Sequence, residues 1–107
     1  VVEATAIEQS TQERIALLQA VADPVRWTVL NLLAEQPRCV CNLQEHVDIA
    51  GNLLSYHLKV LREAGLVTSS RRGRWVDYTL ADGAPERMAG ALPAVPVVPA
   101  LLAAGAS

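Results

Sequence analysis

The chain has no phenylalanine, two tryptophans, two tyrosines and two cysteines, and its formal charge is only −2. Each scarcity excludes something. Cys39 and Cys41 are separated by one residue, so they cannot staple distant parts of a fold as the framework of a secreted domain would. No apolar run reaches the roughly 18 residues that a spanning helix needs, and no charged leader precedes a short apolar core; a cytoplasmic protein is the expectation. There is no C-x-x-C, no phosphate-cradling glycine loop and no base placed beside a nucleophile, which leaves a small cysteine-dependent oxidoreductase with little support. With no internal repeat or low-complexity stretch either, the 107 residues read as one domain, and an apolar share of 51% is enough for one modest core.

The small net charge hides a lopsided distribution. Between His57 and Trp75 stand Lys59, Arg62, Arg71, Arg72 and Arg74 against Glu63 alone, a local +4 that leaves −6 for the remainder. One end of the chain is built to meet an anion.

Residues 1–10 are weakly patterned, and the first helix is predicted from about Thr11 to Ala22, with Ile15, Leu17, Leu18, Val21 and Ala22 at helical spacing. Asp23-Pro24 is a start signal, an N-cap acceptor before a proline whose absent N–H is not missed at the first helical position. The second helix would run to about Gln36, stopped by Pro37. Its apolar content (Val25, Trp27, Val29, Leu30, Leu32, Leu33) predicts the most buried element, with Trp27 in the core. After a loop at Pro37-Arg38, the spacing of Val40, Leu43 and Val47 predicts a short third helix over those residues.

Asp48 to Gly51 then turn the chain into NLLSYHLKVLREAG, from Asn52 to Gly65. Leu54, Leu58 and Leu61, flanked by Leu53 and Val60, form the apolar stripe of a fourth helix, with Asn52 as its N-cap and Gly65 as a left-handed stop. Its other face carries Asn52, Ser55, Tyr56, Lys59, Arg62 and Glu63. His57, beside the stripe, reads as a hydrogen-bonded packing residue, and His46 as exposed. Two short helices joined by a glycine-containing turn are a helix-turn-helix pattern, whose second member is the reading helix. From Leu66 to Leu80 the period becomes two, with Gly73 between LVTSSRR and RWVDYTL, which predicts a hairpin with a cationic tip and Trp75 packing it onto the core. A fifth helix is expected from about Ala84 to Leu92. Pro93, Pro96 and Pro99 then forbid a continuous helix, while Val95, Val97, Val98, Leu101 and Leu102 call for a covering surface such as a second subunit.

The resulting expectation is a mainly α fold with a β-hairpin wing, a dimeric winged helix-turn-helix. Its parts are two leading helices over about 11–36, the helix-turn-helix over 40–64, the wing over 66–80 and a dimerisation segment over 84–107. In ADPVRWTVLNLL, CVCNL, LLSYHLKVLREAGLV and RRGRWVDYTL, spanning roughly Ala22 to Leu80, the chain resembles the ArsR/SmtB family of metal-responsive repressors; HLKVLREAGLV is the most specific run. The resemblance implies a homodimer held by its first and last helices, which offers its fourth helix to the major groove of operator DNA and its wing to the flanking backbone. Asn52, Ser55, Tyr56 and Lys59 are then the candidates for base contact, Arg62 adds a cation to the same face, and Arg71, Arg72 and Arg74 are phosphate ligands. No membrane, catalytic or permanent cofactor role follows.

The same resemblance makes CVC at the head of the third helix an inducer site. Soft thiolates select soft acceptors such as trivalent arsenic or antimony, cadmium, lead or zinc. Family members commonly complete a three-thiol set, but here position 44 is Gln44 and residues 1–38 contain no cysteine. Three completions stay open: a methylated arsenical that needs only two thiolates, a solvent or small thiol as third ligand, or a cysteine preceding Val1. The family's other site type uses Asp and His of the last helix, and no His follows His57. The rival use of the pair is a thiol-oxidation switch, and the plain structural use is as two partly buried small residues.

Overall fold

The computed structural model describes residues 2–95. In chain order it contains α1 (Val2–Val21), α2 (Pro24–Glu35), β1 (Arg38–Cys39), α3 (Val40–His46), α4 (Gly51–Glu63), β2 (Val67–Arg72), β3 (Trp75–Leu80) and α5 (Ala84–Ala91). This is the expected winged helix-turn-helix, five helices around a small antiparallel sheet. The tail residues 96–107, including Pro96, Pro99 and the apolar positions expected to need a cover, lie outside the described residues.

Local chemistry sets most boundaries. Asp23 caps α2, its Oδ2 accepting from the N–H groups of Val25 at 2.9 Å and Arg26 at 3.0 Å, with Pro24 at the first helical position. Gly65 ends the reading helix at φ +74°, a conformation that costs side-chain-bearing residues energy. Gly73, at φ +60°, opens the two-residue turn between the paired Arg72 and Trp75.

The core sits where α2, α3, α4 and the hairpin meet. Val29, Leu30 and Leu33 of α2, Leu43 of α3, Leu54, Leu58 and Leu61 of α4, then Leu66, Val67 and Ala84 form one buried cluster. The leucine stripe of α4 is sealed, at 0%, 1% and 0% exposure, so each of its three leucines contributes about 2 kcal/mol of apolar burial. The helix is thereby locked in rotation about its axis, and that fixes which side chains face outward.

Several expectations are corrected. The first helix begins at Val2, not near Thr11, because Ala-, Glu- and Gln-rich sequence without Gly or Pro sustains a helix without an apolar stripe. Trp27 is 59% exposed and not in the core. It stands two residues before Val29, on the opposite side of α2, and among the described residues no element seals that side of a helix that is apolar all round. Instead Trp27 joins Leu18, Val21, Met88 and Leu92 along an apolar groove between α1, α2 and α5. Trp75, at 51% exposure, is likewise not packed on the core, since it is the first residue after the hairpin turn and lies beyond the reach of α4. Leu53, half exposed, belongs to the edge of α4 and not to its buried stripe. The N-cap of α4 is Ala50, with no side-chain cap bond; Asn52 is already inside the helix. Arg38 is not in a loop but in β1, which pairs antiparallel with β3 (Arg38 with Tyr78, Cys39 with Asp77) and extends the hairpin to a three-stranded sheet in the order β1-β3-β2. Two residues of strand carry too little alternation to be read from a sequence.

Candidate functional site

Three features make up the candidate site: the outer face of α4, the hairpin, and the cysteine-bearing start of α3, the last two sharing a recess. Opposite its leucine stripe, α4 leaves Asn52, Ser55, Tyr56, Lys59 and Arg62 exposed, at the three- and four-residue spacings that place side chains on one helical face. All five are among the residues expected to meet DNA. His57 is turned inward. Arg26 Nη1 lies 2.8 Å from its Nδ1, and the same guanidinium donates to the carbonyls of Ala20 at 2.6 Å and Gln19 at 3.3 Å. Arg26 therefore ties the end of α1, the cap of α2 and the middle of α4 together. Asp23, beside it, has its carboxyl held below the usual range, chiefly by the Arg26 N–H bond and further by the nearby His57 and Arg26 charges, against an opposing effect of burial. At the other end of α4, Arg87 of α5 donates to the carbonyls of Ala64 at 3.2 Å and Gly65 at 2.5 Å, satisfying the helix C-terminus with a cation.

The wing arginines divide into two kinds. Arg72 is engaged by Asp77 across the hairpin through both Nε and Nη2; the bond raises the arginine's pKa and lowers that of the carboxyl, and the Cys39 sulfur adds a smaller contribution that also favours the Arg72 cation. Arg71 and Arg74 are exposed and make no salt bridge among the described residues. Two wing cations are thus uncommitted and one is compensated.

Cys39 closes β1 and caps α3, its Sγ accepting from the Asn42 N–H at 3.3 Å; Cys41 follows in the first turn of α3 and is exposed. Cys39 and Cys41 line one recess of about 300 Å³ with Val40, Arg74, Trp75 and Val76, while Cys39 also borders a second recess with Gln36, Asn42, Arg72 and Asp77. No cluster of three His, Cys, Asp or Glu side chains able to hold a metal ion occurs among the described residues. The donor set is two thiols, which fits an acceptor with two open positions and not a closed tetrahedral ion.

Beneath this site lies a residue that sequence reasoning missed. Arg38 is buried and donates to Leu32 O at 3.0 Å, Asn42 Oδ1 at 2.6 Å and Glu35 Oε1 at 2.8 Å, joining the end of α2 to the start of α3. A charged residue next to a proline gave no signal of burial. The same holds for Arg26 and Arg87, whose carbonyl partners are invisible to side-chain pattern.

A family model described as "Bacterial regulatory protein, arsR family" matches residues 23–69. The HTH-type transcriptional repressor SmtB of Mycobacterium tuberculosis is 47% identical over 66 residues, 62% of this chain and 49% of that protein. The arsenical resistance operon repressor of Bacillus subtilis is 38% identical over 65 residues, covering 60% of this chain and 62% of that protein. Among solved structures, HlyU from Vibrio cholerae superposes with a TM-score of 0.69 at 30% identity, over 78% of this chain and 89% of that one. The chain spans about half the length of the SmtB relatives it matches. The two sequence relatives are named as repressors, and the family match runs from the capped start of α2 through α4 into the wing. On the strength of the helix-turn-helix, the wing and these likenesses together, the chain belongs to the arsR family of bacterial regulatory proteins.

Proposed function

We propose that the chain is a DNA-binding transcriptional repressor that works as a homodimer and releases its operator when a thiophilic metalloid or metal is captured by Cys39 and Cys41, with trivalent arsenic, inorganic or methylated, as the favoured inducer. The observation that carries the reading is the outer face of α4. Asn52, Ser55, Tyr56, Lys59 and Arg62 stand exposed opposite a sealed leucine stripe, beside a wing with two uncommitted cations. A helix of this kind fits the major groove, where its polar side chains reach base edges, while Arg71 and Arg74 neutralise phosphates. The relatives named as a repressor and as an arsenical resistance operon repressor support both halves of the proposal.

The inducer half follows from donor chemistry. Two soft thiols at the head of the helix that precedes the reading helix are placed where capture of a ligand disturbs the reading unit. No helix of the described residues is long and apolar enough to cross a membrane.

Mobility of operator DNA, followed with the protein over a salt series and with arsenite, methylarsenite, cadmium and peroxide, tests the whole. Binding that weakens steeply with salt and is released by arsenicals supports it. Binding indifferent to salt removes the DNA-contact assignment. The variant carrying Cys39→Ser and Cys41→Ser should bind the operator normally and fail to release it. Release by peroxide but not by arsenicals would replace metalloid capture with thiol oxidation.

A further inference from the structure

We infer that the wing is itself a wall of the thiol site, with Trp75 as the residue that selects for an organic substituent on the captured arsenical; the inference rests on the cysteine reading above. The open recess lined by Cys39 and Cys41 is also lined by Val40 of α3 and by Arg74, Trp75 and Val76 of the wing, three apolar side chains and one cation. Trp75 is half exposed, outside the buried core, and lines the same recess as the two cysteines. The hydrogen-bonded ladder joins the two as well: β1 places Cys39 opposite Asp77 of β3, and Asp77 holds Arg72 across the hairpin.

A monosubstituted trivalent arsenical, R–As(OH)2, condenses with two thiols to give R–As(S-Cys)2 and two waters. Two As–S bonds form, two As–O bonds break, the thiol protons leave with the departing hydroxides as water, and arsenic stays trivalent. Its third valence is the As–C bond, so the two-cysteine donor set is complete without another protein ligand. The substituent R must then lie against a wall of the recess, and the apolar wall available is Val40, Trp75 and Val76. Inorganic arsenite leaves a hydroxyl at that place, which gains nothing from an indole. Because Arg74 flanks Trp75 in the two-residue turn, seating R there shifts one of the two uncommitted wing cations. The wing, not only the reading helix, thereby transmits capture to DNA.

Calorimetric titration of the DNA-free protein with phenylarsine oxide, methylarsenite and arsenite reads the selectivity directly. Beyond arsenite, methylarsenite should bind about fourfold more tightly and phenylarsine oxide about tenfold, from burial of a methyl group or a ring against the indole. Trp75→Ala should compress these ratios to within about twofold, and Trp75→Phe should retain most of the phenyl preference. In a Trp27→Phe background, where Trp75 is the sole tryptophan, phenylarsine oxide should change its emission. Unaltered ratios in Trp75→Ala, or unaltered emission on saturation, would overturn the inference while leaving the cysteine site standing. Equal binding by the variant that carries serine at 39 and 41 would instead overturn the cysteine reading beneath it.

Discussion

Replacing Arg38 with methionine is the perturbation that probes the platform of the thiol site most directly. The side chain is 7% exposed and makes three short bonds, to Leu32 O, Asn42 Oδ1 and Glu35 Oε1, with a fourth, long contact of 3.5 Å between its Nη1 and His46 Nε2. Glu35 is 68% exposed, so that pair is worth only a few tenths of a kcal/mol. The other two are charge-assisted bonds to a backbone carbonyl and an amide, each worth about 1.5–3 kcal/mol. Methionine refills the aliphatic volume but offers no donor, and some of the loss returns as Asn42 finds water. A net destabilisation of about 3 kcal/mol is expected. For a domain of this size it lowers the melting temperature by about 10–20 °C. Urea unfolding should show a lower midpoint at unchanged slope, since the surface exposed on unfolding is the same. Arg38→Lys should recover less than half, because an ammonium cannot satisfy three acceptors arranged around a planar fork. A loss below about 0.5 kcal/mol for Arg38→Met, or full recovery with lysine, would refute the account of Arg38 as the hub between α2 and α3.

Asp23→Ala should cost about 1–2 kcal/mol at neutral pH through loss of the α2 cap. Asp23's folded pKa lies below its ordinary value of 3.8, so the part of its contribution that depends on charge is complete above that value and disappears as pH falls through the depressed folded one; the gap between wild type and variant should therefore narrow in acid, and a constant gap would contradict the assignment. Arg71→Ala and Arg74→Ala should each lower the slope of log affinity against log salt for operator binding by about 0.9, measured by anisotropy, whereas an unchanged slope in both would remove them from the phosphate contacts. Gly65→Ala should lose about 1–2 kcal/mol, because φ is +74° and the new Cβ would meet the Arg87 guanidinium at 3.1 Å; thermal melts of the variant, alone and with Arg87→Ala, separate backbone strain from the contact.

What the sequence revealed follows the physics of short-range signals. Asp23-Pro24, Gly65 and the Leu54–Leu58–Leu61 stripe each act within one or two turns, so the limits of α2 and the rotation of α4 were legible before any fold was known. The wing was legible from alternation and Gly73. Hidden were the features that depend on what stands opposite. Trp27 and Trp75 are large and apolar, and only what the fold sets opposite them leaves both more than half exposed among the described residues. Arg72 reads like Arg71 and Arg74 until the register pairs Ser70 with Asp77 and brings that carboxylate within reach. Arg26, Arg38 and Arg87 bond to carbonyls, and every residue has a carbonyl, so no pattern of side chains could have announced them. The cysteine pair was visible at once, but its proximity to the wing was not, because β1 is two residues long.

Cys39 occupies a position that most helices give to serine, threonine, asparagine or aspartate, and its sulfur accepts the Asn42 N–H of a helix only seven residues long. Sulfur is a weak acceptor, so the first turn of α3 is held loosely by design of its composition. A sulfur bonded to a soft acceptor keeps lone pairs, but the new bond constrains the direction in which they point. Capture at Cys39 and the strength of the first turn of α3 are then coupled through one N–H···S bond. Amide exchange at Asn42, measured with and without the captured ligand, would read that coupling.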